Sequence, residues 1–185
     1  FTRQMDEDAI QNYSLVHVFS AGNNGTANCN YGAGSGWGNI TGGHKQGKNV
    51  IATANVTGVD LIAGSSSRGP AHDGRIKPDI AALGTNVYSC LPPNDYRSIT
   101  GTSMACPGIA GVLAQLYDAY KQNNAGNEPA GGLMKAILMN NADDLGNPGP
   151  DFKYGYGRAN ALRSAKAIEN NWIVADNVSQ NQTDT

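Results

Sequence analysis

The chain has 185 residues, which is enough for one domain with a hydrophobic core and too few to expect two. Its formal net charge of −2 provides no basic surface of the kind that binds nucleic acid. No apolar run approaches the ~20 residues of a membrane span, and the three cysteines lack the short paired spacing of a zinc site.

The first predicted elements are a helix, a strand and a polar turn. Residues 2–12 favour a short helix, and residues 15–19 form an apolar run typical of a strand covered on both faces of a parallel sheet. The run ends in SAGNNG at residues 20–25. Because sites in open α/β sheets lie at the carboxyl ends of strands, this turn is a candidate site. Asn and Gly are also the residues that tight turns favour on their own account.

The middle of the chain predicts further strands. Residues 27–47 are polar and rich in glycine, which is typical of a loop that faces a substrate, a metal or solvent. Residues 49–56 favour a strand, and residues 63–80 contain turn residues throughout. Two strand-like runs at residues 86–90 and 96–100 are joined by a short turn, which predicts a hairpin.

Residues 99–120 place small polar side chains at the start of an amphipathic helix. Its apolar face shows the three-and-four spacing of a buried helix: Ile109, Val112, Leu113, Leu116, Tyr117 and Tyr120. Gly101, Thr102 and Ser103 lie where the unpaired N–H groups and the positive dipole end of the helix are found. A hydroxyl group there is either a helix cap or a nucleophile whose reaction creates an oxyanion. Gly108 and Gly111 predict close packing of the helix against a neighbour.

Two more helices and a polar tail complete the predicted elements. Residues 131–141 and 160–168 each carry an apolar helical face, the latter with Leu162, Ala165 and Ile168. From residue 169 the chain becomes polar, which is typical of a linker.

Three motifs together resemble the subtilisin-like serine peptidases. GTSMA at residues 101–105, followed by Pro107, resembles the nucleophile segment of that family. SAGNNG resembles the segment of the oxyanion-hole asparagine, and SSRGP with PDI, within residues 66–80, resembles a connecting segment. The alternative α/β-hydrolase elbow requires glycine two residues after the serine, where this chain has Ala105.

The resemblance implies an α/β fold, a subtilisin-like parallel sheet flanked by helices, of which only the second half is present. Residues 1–170 would form this C-terminal half of the catalytic domain. Residues 171–185 would be a linker or the approach to a further module. By the same resemblance the protein would be secreted or held at the cell surface.

The resemblance also implies a serine endopeptidase that works by acyl transfer on a polypeptide substrate. Ser103 would be the nucleophile and Asn23 the oxyanion donor, with Thr102 lending its hydroxyl group. The substrate would contact Ala21 and Gly22, and also Thr100 and Gly101. The chemistry would need no cofactor. Structural calcium is common in the family, but the sequence assigns no ligands to it.

The triad of the family runs Asp, His, Ser along the chain. None of His17, His44 and His72 lies in a segment like the histidine motif of the family. The acid and the base would therefore lie upstream of Phe1, and the upstream half of the domain would be a partner without which the chain is inactive. The strand at residues 15–19 would then be an exposed sheet edge.

Other interpretations remain open at this point. The chain could be a catalytically inactive binding or scaffolding module that keeps the subtilase fold. Cys106 is interpreted as a small buried hydrophobic residue. The sequence does not decide whether Cys29 and Cys90 form a disulfide bond.

Overall fold

The computed structural model of the chain describes residues 2–29 and 33–174. Within these ranges lie helices α1 (Thr2–Gln11), α2 (Thr102–Asn123), α3 (Gly131–Asn140) and α4 (Ala161–Glu169), and a 3₁₀ turn at Gly43–Gln46. The strands are β1 (His17–Ser20), β2 (Val50–Val56), β3 (Ile80–Leu83), β4 (Val87–Leu91) and β5 (Asp95–Ile99). Residues 30–32 of the predicted loop and 175–185 of the predicted tail lie outside the described ranges.

Strands β1, β2 and β3 form a parallel sheet in that order. Ser20 is the register partner of Thr53, and Thr53 is the partner of Ile80. Every residue of β2 is buried, as expected for a central strand covered on both faces. The predicted parallel sheet is therefore confirmed, and β1 forms one of its edges within the described residues.

Strand β3 has no counterpart among the predicted elements. The turn residues at 63–80 predict an irregular segment, and the four-residue run of β3 is too short to show a period. Its extended conformation is fixed by pairing with β2, in which Ala81 lies beside Ala54. This pairing exists only in the folded chain, so local sequence could not reveal it.

The predicted hairpin is confirmed as the antiparallel pair of β4 and β5. The chain leaves the sheet after Gly84 and returns at Gly101, whose N–H donates to the Gly84 carbonyl over 2.8 Å. Because Gly84 directly follows β3, this bond holds the start of α2 at the carboxyl edge of the sheet. β1 ends at the same edge, which brings the two candidate segments together.

Helix α2 packs against all three parallel strands and against α3 and α4. Its predicted apolar face is confirmed, with Ile109, Leu113 and Leu116 buried. These side chains join residues of β2, β3, α3 and α4 in one hydrophobic core. Full burial of such a side chain is worth about 1.5–3 kcal/mol, so the position of α2 is strongly determined.

The opposite face of α2 differs from the prediction. A Cβ atom added to Gly108 or Gly111 would meet no atom of the described residues within 4 Å. The predicted close packing at these glycines is therefore wrong for this part of the chain. Another difference lies in α4, where Leu162 is 67% exposed rather than part of the core.

Cys29, Cys90 and Cys106 lie in the described ranges and are all free, so none of them forms a disulfide bond there. Cys106 is half-buried, and this burial raises the pKa of its thiol. In the described ranges no helix has the length and apolar composition that a membrane span requires. Nor do those ranges contain a group of three or more His, Cys, Asp or Glu side chains placed to hold a metal ion.

A buried cluster of charged side chains stabilises the start of β3. Asp79 directly precedes β3, and its carboxylate contacts the ammonium groups of Lys77 at 2.5 Å and Lys135 at 2.9 Å. It also accepts a hydrogen bond from the Ala52 N–H at 2.7 Å. Burial lowers the pKa of Lys77 to about 8, although the Asp79 charge acts in the opposite direction. A single carboxylate thus compensates two ammonium groups at this point.

We expect the Asp79→Ala variant to lose about 3–5 kcal/mol of unfolding free energy, because it leaves two ammonium groups without their counter-charge inside the protein. Urea denaturation measures this loss. The control is Asp73→Ala, which removes a carboxylate 53% exposed in its ion pair with Arg75. An exposed pair contributes about 0–1 kcal/mol. Equal losses in the two variants would contradict the assigned importance of Asp79.

Candidate active site

The turn after β1 holds Asn23 at the carboxyl edge of the sheet. The Ala21 N–H donates to the Thr53 carbonyl over 2.9 Å, which extends the sheet by one residue, and Ala21 is fully buried. Gly22 then turns the chain with a φ of +117°, and its carbonyl accepts from the Ser67 N–H at 2.8 Å. Asn23 follows at the surface, with its backbone fixed from both sides.

Asn23 and Thr102 are joined by two hydrogen bonds. The backbone N–H and the hydroxyl group of Thr102 both donate to Asn23 Oδ1 over 3.0 Å. The Thr102 oxygen in turn accepts from the Gly22 N–H at 3.2 Å. Because two donors converge on Oδ1, the amide nitrogen Nδ2 must point away from Thr102. A single orientation of the Asn23 amide is therefore fixed.

Glycine at position 101 leaves room for this arrangement. A Cβ atom on Gly101 would lie 3.3 Å from Asn23 Nδ2, which is closer than ordinary van der Waals contact. The side chain of any other residue would therefore press on the Asn23 amide. Thr102, the next residue, is fully buried, so its hydroxyl group is not accessible to a substrate.

Ser103 lies beside this amide in the first turn of α2 and is exposed. Its backbone N–H has no acceptor among the described residues, whereas the Met104 N–H donates to the Gly101 carbonyl at 3.0 Å. The positive end of the helix dipole lies at the same place. The site therefore presents an accessible hydroxyl group and two neutral donors, Asn23 Nδ2 and the Ser103 N–H. Such donors stabilise negative charge that develops on an oxygen atom.

The side chain of Thr100 contacts the hairpin and not the Asn23 amide. Its hydroxyl oxygen accepts from the Asn86 N–H at 2.9 Å, so the side chain is bound to the base of the hairpin. The other predicted site residues, from Ala21 to Asn23 and from Gly101 to Ser103, meet in one place.

Sequence reasoning missed Ser67 as part of this site. Its hydroxyl oxygen accepts from the Asn24 N–H at 3.0 Å, and its own N–H donates to Gly22. Ser67 thus supports the turn on both sides of Asn23. Its place in the SSRGP motif was the available signal, but a motif rich in turn residues does not show which residue it contacts.

No histidine is placed to take a proton from Ser103 within the described residues. His17 lies in β1, with Nε2 buried and 3.9 Å from the Asp8 carboxylate. His44 packs edge-on against Phe19 at 4.7 Å between ring centroids. His72 lies in the loop before β3, where its N–H donates to the Gln46 side chain.

A model of the Subtilase family, Peptidase S8, matches residues 2–157. The chain belongs to the subtilase family. The region matched includes every residue of the candidate site, and it leaves out only the first residue and the segment that contains α4.

Several subtilases resemble the chain in sequence. It is 39% identical to the C5a peptidase of Streptococcus pyogenes over 98 residues, which are 52% of this chain and 8% of that protein. It is 39% identical to pyrolysin of Pyrococcus furiosus over 118 residues, 58% and 8% of the two chains. The minor extracellular protease Vpr of Bacillus subtilis is 36% identical over 115 residues, 58% and 14% of the two chains. The chain thus spans a small part of these relatives.

A solved structure confirms the fold of this subtilase chain. A lanthipeptide protease superimposes with a TM-score of 0.71 at 22% sequence identity. The match covers 90% of this chain and 54% of the protease chain. The α/β architecture predicted from the sequence is therefore that of a part of a subtilisin-like domain.

The Gly22→Ala variant should be less stable by about 1–3 kcal/mol, because its φ lies in the region that favours glycine. Its Cβ atom would also lie 2.9 Å from Ser67 Oγ. The control is Gly132→Ala in α3, where a Cβ atom meets nothing within 4 Å. That change should be neutral or stabilising by up to about 1 kcal/mol. Thermal unfolding of both variants measures the difference, and a stable Gly22→Ala protein would contradict the strained turn.

Proposed function

We propose that the chain carries the nucleophile and the oxyanion site of a serine endopeptidase. The observation that supports this most is the fixed Asn23 amide, whose Oδ1 accepts two hydrogen bonds from Thr102 directly beside Ser103. A structural helix cap would not need this arrangement, because the contact leaves the Asn23 donor and the Ser103 hydroxyl group directed to solvent. Membership in the subtilase family supports the same function.

The proposed reaction is acyl transfer. Ser103 Oγ attacks the carbonyl carbon of a peptide bond and transfers its proton to a histidine base. Asn23 Nδ2 and the Ser103 N–H donate to the oxyanion of the tetrahedral intermediate. The histidine returns the proton to the leaving amine, and water then hydrolyses the acyl-enzyme by the reverse sequence of proton transfers.

Thr102 acts as a positioning residue in this proposal. The hydrogen of its hydroxyl group is donated to Asn23 Oδ1, and its oxygen accepts from the Gly22 N–H. The Thr102 hydroxyl group therefore uses both its donor and its acceptor capacity within the protein. Thr102 orients the amide that binds the oxyanion, and the substrate would be bordered by Gly22 and Gly101.

The base and the acid would come from sequence upstream of Phe1. Three observations support such a partner segment: no described histidine is hydrogen-bonded to Ser103, β1 is an edge of the sheet within the described residues, and one face of α2 is exposed at Gly108 and Gly111. The chain also covers only 54% of the lanthipeptide protease chain. Further strands would extend the sheet at β1 and cover this helix face.

Two more features belong to the proposal. Residues 1–170 would be the C-terminal half of the catalytic domain, in agreement with the end of α4 at Glu169. Residues 171–185 would lead to a linker or a further module. A secreted or surface location is supported by the relative that is named an extracellular protease.

In the complete domain, Asn23→Ala should lower kcat with little change in KM, because the donor acts on charge present only in the transition state. The expected loss is about 10²- to 10³-fold, the size known for the corresponding asparagine of subtilisin, itself a member of this family. Kinetics on a peptide substrate measure it. The control is Asn24→Ala, which keeps the backbone bond from residue 24 to Ser67. An unchanged kcat in folded Asn23→Ala protein would exclude the oxyanion role.

Residues 1–185 alone should show no peptidase activity, because the serine hydroxyl group is a poor nucleophile without a base. Loss of the triad base costs about 10⁶-fold in subtilisin. Addition of the upstream segment, fused or as a separate chain, should restore casein cleavage and labelling of Ser103 by a fluorophosphonate probe. The Ser103→Ala variant is the control for both. A complete domain that folds but neither cleaves nor labels would favour the inactive binding or scaffolding module.

A further inference from the structure

Lys45 places an ammonium group against the wall of the candidate site. It belongs to the 3₁₀ turn Gly43–Gln46, and its Nζ atom lies 3.4 Å from the position of a Cβ atom on Gly22. Because a carbon–carbon bond is about 1.5 Å and consecutive Cα atoms are 3.8 Å apart, Nζ lies within about 9 Å of the Cα atom of Asn23. The charge is thus close to the atoms proposed to bind the substrate carbonyl.

The turn that carries Lys45 is fixed on two sides. The His44 ring packs against Phe19 of β1, and Gln46 donates to the Ile40 carbonyl at 2.7 Å. Lys45 itself donates through its backbone N–H to the Gly42 carbonyl at 3.2 Å. The direction in which the side chain leaves the backbone is therefore set by ordered structure.

Lys45 is half-buried but has no counter-charge among the described residues. Neither a carboxylate within 4.0 Å nor an acceptor for its Nζ atom is present in those ranges. Each of the other half-buried or buried lysines has a defined contact: Lys77 and Lys135 with Asp79, Lys121 with Glu128, and Lys153 with the face of the Trp37 ring. Partial removal of an ammonium group from water costs free energy unless an anion or a hydrogen bond compensates it. The ammonium group of Lys45 can therefore form an ion pair with an anionic group of a bound ligand.

The neighbouring histidine does not supply a second charge. Burial above all, and the Lys45 charge in addition, hold the pKa of His44 below its ordinary value of 6.5. His44 is thus neutral at pH 7. The positive charge of this turn belongs to Lys45.

The position of Gly22 connects this charge to the substrate. Gly22 directly precedes Asn23 and has no side chain to separate Lys45 from the site. When the attacked carbonyl lies between Asn23 Nδ2 and Ser103 Oγ, the side chain of the same residue begins on the Cα atom that is bonded to that carbonyl carbon. A side chain directed along Gly22 brings its end towards the ammonium group.

We infer that Lys45 determines substrate specificity by pairing with a carboxylate on the residue whose carbonyl Ser103 attacks. The substrate class is thus polypeptides with Glu or Asp at that position. This inference rests on the proposed peptidase function. It adds a charged residue to a site whose other members are neutral.

The test uses the complete catalytic domain and two peptides that differ only by Glu or Gln at the residue before the cleaved bond. The wild-type protein should cleave the Glu peptide with a kcat/KM about tenfold higher, because an ion pair partly shielded from water exceeds the small value of an exposed pair. Lys45→Met should lower this Glu-to-Gln ratio of kcat/KM to about one. Lys45→Arg should keep the ratio, and Lys48→Met, which removes a charge from an exposed lysine of the same loop, should not change it.

The outcomes separate the two proposals. Wild-type protein that cleaves both peptides equally, or Lys45→Met protein that keeps the preference, would overturn the role of Lys45 and leave the peptidase function intact. An equal loss of kcat/KM on both peptides in folded Lys45→Met protein would also overturn it. Lys45 would then stabilise the site without distinguishing Glu from Gln in the substrate. Wild-type protein that cleaves neither peptide and fails to react with a fluorophosphonate probe would overturn the function itself.

Discussion

The contact between Asn23 and Thr102 joins two segments that are 79 residues apart in the chain. One segment ends β1 and the other begins α2, and each is fixed separately by the sheet and by the core beneath α2. The two donors of Thr102 on one amide oxygen then decide where the amide nitrogen points. The orientation of the candidate donor therefore depends on the register of the whole parallel sheet, because a shift of β1 by one residue would remove Asn23 from Thr102.

In the proposed acyl-transfer reaction, the described residues would supply only some of the groups that the chemistry needs. They would supply the Ser103 hydroxyl group as the nucleophile, and the helix N-terminus and the Asn23 amide as fixed dipoles that stabilise an oxyanion. They do not hold a base that is hydrogen-bonded to Ser103. Electrostatic stabilisation and proton transfer would thus be supplied by separate stretches of sequence, and they could meet only when the sheet is completed at β1 and the exposed face of α2 is covered.

The lysine side chains of this protein differ in whether a carboxylate compensates their charge. Lys77 and Lys135 share the carboxylate of Asp79, and this cluster fastens the start of β3. Lys45 has no such partner among the described residues and lies against a glycine in the wall of the site. The ammonium groups of Lys77 and Lys135 therefore stabilise the fold through Asp79. The ammonium group of Lys45, which has no carboxylate partner, can bind an anionic ligand.

The sequence by itself determined the elements with strong local patterns: the buried face of α2, the apolar β2, the hairpin, and the motifs that mark Ser103 and Asn23. Periodicity and turn chemistry are local properties, so they can be recognised without a structure. Only the tertiary structure decided that Ile80–Leu83 is a strand, that Gly108 and Gly111 face away from the described core, that Ser67 supports the turn of Asn23, and that Lys45 lies against Gly22. These features depend on contacts between segments distant in the chain, and hydrogen bonding and burial across such distances leave no period in the sequence.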